Sequence, residues 1–72
     1  MHFYNPLKPH IATNGYVWVV RKLRPLGWEY LDTLTGHWWF MQEYVEKHAY
    51  AYSETKAQEM LKRVKPLRHY KQ

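Results

Sequence analysis

Between Tyr16 and Gln42 apolar side chains come in short runs or alternate with polar ones, and after Ser53 their spacing changes to a helical one. Tyr16 to Leu23 reads Tyr-Val-Trp-Val-Val-Arg-Lys-Leu, opening on five consecutive β-branched or aromatic residues, the composition of a strand. In an extended chain Tyr16, Trp18 and Val20 share one face, and Val17 and Val19 the other. Both faces are apolar at the start, so the strand is covered on both sides or exposes an aromatic face. Arg21 and Lys22 put one cation on each face near its end. Arg24-Pro25-Leu26-Gly27 predicts a turn, because Pro presets φ at the second position and Gly suits the fourth. From Trp28 to Thr33, Trp28 and Tyr30 share a face, opposed by Glu29 and Leu31. Asp32 to Gly36 predicts a hairpin connection, with Asp opening a turn and Gly in the left-handed position of a bulge. His37 to Gln42 is the returning strand, pairing Trp38 with Phe40 on one face and Trp39 with Met41 on the other.

Residues 43–52 carry two signals. Glu43 and Lys47 are spaced i, i+4, which favours a helical turn. His48-Ala-Tyr-Ala-Tyr52 alternates like a strand and predicts a fourth strand or extended segment at about 48–52. Ser53 is a helix N-cap followed by Glu54, where the helix dipole favours an acid. Ala57, Met60, Leu61 and Val64 then form an apolar stripe at i, i+3, i+4, i+7. Pro66 requires the helix to stop before it. Residues 1–15 read as an irregular lead-in broken by Pro6 and Pro9, with Asn14-Gly15 as a turn and Phe3, Tyr4, Leu7 and Ile11 available to dock. The prediction is one small α+β domain over residues 1–72: lead-in 1–15, sheet 16–52, helix 53–65 and basic tail 66–72. Its fold is a three- or four-stranded antiparallel meander packed against one C-terminal helix, a standard two-layer solution.

Four Trp, seven Tyr and two Phe in 72 residues reflect the needs of a small domain, which reaches stability by burying large side chains. With no Cys there is neither a disulfide framework nor a Cys-based zinc site. No apolar run approaches the ~20 residues of a membrane span. No signal-peptide core follows the first residues, so a cytoplasmic protein without membrane association is expected.

Charge is distributed unevenly. Residues 1–59 contain six Lys/Arg and all six acids; the formal +5 comes entirely from Lys62, Arg63, Lys65, Arg68 and Lys71. A neutral aromatic body with a basic end predicts an acidic partner. Part of that charge has a simpler cause, since cations in the last turn of a helix complement its dipole. Catalytic chemistry is not indicated. The five His show no i, i+4 pair and no repeated offset from an acid, so no metal site is expected. The carboxylates form no acid/base pair, and Gly15, Gly27 and Gly36 make no phosphate loop. Neither catalytic residues nor a cofactor is therefore predicted.

The run Trp38 … Ala49-Tyr-Ala-Tyr52-Ser53-Glu54-Thr-Lys-Ala57 … Leu61 resembles a pattern of short phage open reading frames. In these a Trp-bearing hairpin leads to a strand and then to a Ser-capped helix with Ala at its fifth position. The resemblance covers about half of the chain. It implies a host-takeover or anti-defence factor that binds one host macromolecule in the host cytoplasm.

Two functions follow as expectations. One is a non-catalytic protein, plausible as an inhibitor, that binds another protein through Trp18, Arg21, Lys22, Arg24, Trp28, Trp38 and Trp39, the residue types of interface hot spots. The other is DNA or RNA binding through Lys62, Arg63, Lys65, Arg68 and Lys71, with aromatic rings stacking on bases. The two cationic clusters would merge if the end of the first long strand lay beside the helix terminus. The pattern leaves the oligomeric state open.

Overall fold

A computed structural model describes residues 6–64. The elements in chain order are β1 (His10–Thr13), β2 (Trp18–Arg24), β3 (Gly27–Leu31), β4 (Trp38–Trp39), α1 (Gln42–His48) and α2 (Glu54–Arg63). The four strands form one antiparallel meander in the order β1-β2-β3-β4. The α+β class and the antiparallel meander are as the pattern predicts, but the fourth strand lies elsewhere and there are two helices.

The fourth strand comes from the lead-in. His10–Thr13 pairs with β2, placing Ile11 opposite Val20 and Ala12 opposite Val19. The turn that folds it back is the Asn14-Gly15 pair. Asn14 Oδ1 accepts from the N–H groups of Tyr16 (2.8 Å) and Val17 (3.1 Å), and Gly15 takes φ +97°. A strong turn flanked by two extended segments is a hairpin, and the two prolines end before β1 begins, so they do not interrupt its ladder.

The segment expected as a strand at 48–52 is helical before it and extended only at one point. Gln42–His48 forms α1, with Glu43 in its first turn and Lys47 and His48 in its last. Ala51 alone pairs with β2, exchanging two hydrogen bonds of 2.8 Å with Trp18. Ala51 thus extends the sheet beside Trp18, beyond the point where β3 turns away at Asp32. The returning strand is likewise shorter than His37–Gln42: it ends at Trp39, because Met41 is already the N-cap of α1.

The turns and the last helix match their local signals. Asp32 Oδ1 accepts from the N–H groups of Leu34 (2.7 Å) and Thr35 (3.0 Å), and Gly36 has φ +85°. Ser53 caps α2, its Oγ accepting from the Lys56 N–H at 3.1 Å. The tail at 66–72 and Lys65 lie outside the described residues.

Strand register assigns the two sheet faces. Ile11, Trp18, Val20, Lys22, Glu29, Leu31 and Trp38 share the face that α2 covers. Val20, Leu31, Ala51, Ala57 and Met60 form the buried cluster there, flanked by Ile11, Trp18, Trp38, Leu61 and Val64. The helix stripe therefore packs as spaced. The opposite face carries His10, Ala12, Val19, Arg21, Leu23, Trp28, Tyr30 and Trp39. There α1 touches the sheet through Trp39, which stacks on Tyr44 and His48.

Candidate functional site

The four tryptophans do not form one patch. Trp18 and Trp38 lie under α2, while Trp28 and Trp39 lie on the other face, and all four are half-buried. The rings of Trp28, Trp38 and Trp39 each carry partners within the protein. The Arg21 guanidinium sits 3.8 Å from the centre of the Trp28 ring, with His10 edge-on to the same indole at 5.7 Å. Lys22 Nζ lies 4.1 Å over Trp38. Trp39 stacks on Tyr44 at 5.1 Å and on His48 at 4.9 Å. Cation–π and aromatic pairs of this kind contribute about 0.5–1.5 kcal/mol each, so these cations first serve the fold.

Asp32 is the hub of the far end of the sheet. It is 7% exposed, and its second oxygen accepts from the Trp39 indole N–H at 3.0 Å. His48 Nδ1 lies 3.8 Å from the same oxygen, and the Thr33 N–H donates to the His48 carbonyl at 2.8 Å. Burial pushes the Asp32 carboxyl upward, but donors at Leu34, Trp39 and Thr35 and the neighbouring His48 outweigh it, holding the group below its usual value. An acid next to a histidine suggests catalysis, but both Asp32 oxygens are committed to donors that fix the turn and α1.

The opposite end, around the β2–β3 turn, is built differently. Register places Arg21, Lys22 and Arg24 there, and the bond from the Leu23 N–H to the Pro6 carbonyl (2.7 Å) brings Leu7 and Lys8 alongside. Glu29 stands among these cations, 4.0 Å from both Lys22 Nζ and Arg24 Nε. Burial lowers the Lys22 pKa, Glu29 opposes that shift and Arg24 reinforces it. Apolar side chains are exposed at the same place: Leu26 is 93% and Phe40 55% accessible. Between them lies a recess of about 360 Å³ lined by Arg24, Pro25, Leu26, Gly27, Glu29 and Phe40. Leu26 and Phe40 are the functional candidates that sequence reasoning missed. Phe40 read as a strand residue sharing a face with Trp38, and Leu26 as a turn filler. A bulky apolar residue at the tip of a two-residue turn was the available signal.

Among the described residues, the second cationic cluster does not join the first. Lys62 and Arg63 are exposed at the end of α2. Arg63 lines a recess of about 350 Å³ with Leu31, Leu34, Trp38, Met60 and Val64, beside the β3–β4 turn. That turn and the β2–β3 turn are separated by the length of β3, roughly 15–20 Å at about 3.4 Å per residue. Arg68 and Lys71, like Lys65, fall outside the described residues.

Among the described residues no group of three His, Asp or Glu is placed to hold a metal ion. No helix of the described residues is long and apolar enough to cross a membrane. Comparison with protein families, with curated proteins and with solved structures finds no match to this chain.

Proposed function

We propose that this chain is a small non-catalytic binding protein, an inhibitor of the phage accessory type, that engages an acidic segment of a host protein in the cytoplasm. The contact surface is the β2–β3 turn end of the sheet. The observation that carries this reading is the pairing of exposed Leu26 and Phe40 with Arg24 around one recess, with Lys22 behind it on Glu29. Apolar side chains grouped beside an arginine are the composition of interface hot spots. Trp28 and Trp38 contribute as the supports on which Arg21 and Lys22 lie.

Nucleic-acid binding is the weaker reading. Of the second cluster, Lys62 and Arg63 lie by the β3–β4 turn, away from Arg21, Lys22 and Arg24, and the Trp28, Trp38 and Trp39 rings already carry Arg21, Lys22 and the Tyr44 and His48 rings. Association measured across a salt series separates the two. Five phosphate contacts require a log K against log salt slope of about −3.5 to −4.5, whereas an apolar-centred interface holds at moderate salt.

The direct test is recovery of a host protein at moderate salt by wild type and by a chain carrying both Arg24→Glu and Leu26→Glu. Both positions are exposed, so circular dichroism should show an unchanged fold. Loss of the partner in the double variant is expected. Equal recovery by the two proteins would remove the β2–β3 end from the interface.

A further inference from the structure

We propose that the partner segment binds as an added strand on the open edge of β3, so that the ligand is a short extended peptide alternating apolar and acidic residues. This rests on the reading of the β2–β3 end as a protein-binding surface.

Hydrogen-bond parity fixes which backbone groups of β3 face outward. In an antiparallel sheet each residue directs its N–H and C=O to one side, and successive residues alternate. The Leu23 N–H points toward β1, where it donates to the Pro6 carbonyl. Lys22 and Arg24 therefore point toward β3, where they face Glu29 and Gly27. Glu29 and Gly27 return those bonds, which leaves Trp28 and Tyr30 directed away from β2. Tyr30 meets Trp39 of β4. Continuing that register would bring Met41 opposite Trp28. Met41 has left the sheet by then: as the N-cap of α1, its carbonyl accepts from the N–H groups of Tyr44 (2.9 Å) and Val45 (3.0 Å). The N–H and C=O of Trp28 thus stand at an edge that β4 does not reach.

The surroundings of that edge specify the ligand. The recess of about 360 Å³ is lined by Gly27 and Glu29, the residues on either side of Trp28, together with Leu26 and Phe40. A strand residue facing the recess is apolar. Arg24 and Glu29 both line the space; their contact is long, at 4.0 Å, and Lys22 is equally close to Glu29, so Arg24 can take a ligand carboxylate while Glu29 keeps Lys22. The ligand residue opposite Trp28 must offer its own N–H, which excludes proline there. Backbone bonds give such a contact its affinity, and side-chain pockets give it specificity.

The experiment selects peptides from a displayed library of random short sequences on the wild-type chain, then measures amide hydrogen exchange with the most enriched peptide bound. The expected peptide alternates apolar and acidic residues. Exchange at the Trp28 amide should slow about tenfold or more on binding. Affinity should fall about tenfold or more in Arg24→Glu, in Leu26→Glu, and for the peptide N-methylated at the residue opposite Trp28. A peptide that loses affinity to both variants yet leaves Trp28 exchange unchanged overturns the added strand and keeps the binding surface. Enrichment of no peptide, or of peptides indifferent to both variants, overturns the surface reading as well.

Discussion

Both carboxylate oxygens of Asp32 are occupied, one by the Leu34 and Thr35 N–H groups and the other by the Trp39 indole. Replacing Asp32 by Ala removes these acceptors together and leaves a half-buried indole N–H unpaired. Charged hydrogen bonds and orphaned donors cost about 1–3 kcal/mol each, so Asp32→Ala should lower stability by about 2–3 kcal/mol in urea unfolding. The same residue sets an acid limit. Its pKa is depressed by folding, so its stabilisation is complete above the ordinary carboxylate value of 3.8 and is lost as pH falls through the lower folded value. Asp32→Asn should flatten that acid limb; an unchanged limb would show that Asp32 does not set it. The sequence marked Asp32 as a turn opener, because the acceptor role is local. It did not mark Asp32 as the partner of Trp39, because that contact depends on the hairpin having closed.

At the scale of elements, α2 was the most legible part of the chain. A Ser cap, an acid in the first turn, an apolar stripe and a proline beyond are all local signals, and they agree. Ser53→Ala should cost about 1 kcal/mol, readable as a lower unfolding midpoint with native circular dichroism. A cost near zero would mean that tertiary packing, not the cap, fixes the start of α2. β1 was not legible, and α1 showed only as the single Glu43–Lys47 spacing, for a shared reason. His10–Thr13 is only four residues long and is a strand because β2 supplies partners for it. α1 is seven residues long, too short to be stable alone, and Val45 is its buried anchor. Elements this short are fixed by what they pack against.

For the molecule as a whole, the largest part of the buried core lies in one small cluster beneath α2. Met60 is 1% exposed and among the largest fully buried side chains described. Met60→Ala should cost about 2–5 kcal/mol. A domain this size holds only about 4–11 kcal/mol in total, so the melting temperature should drop by about 10 °C or more. A fall of only a few degrees would mean that the helix and sheet close over the gap. The aromatic surplus makes sense at this scale too, since most of the indoles brace cations or strands rather than forming an exposed aromatic face. The sequence by itself determined the α+β class, the three turns, the alternation of faces in β2 and β3 and the capped helix, because these follow from φ preferences, period and nearest-neighbour hydrogen bonds. Only the tertiary structure decided which Trp lies on which face, that Lys62 and Arg63 stand at the other end of the sheet from Arg24, and that β4 ends before it covers Trp28. Those depend on strand register and on where the chain leaves the sheet, and both are set by contacts between residues far apart in sequence.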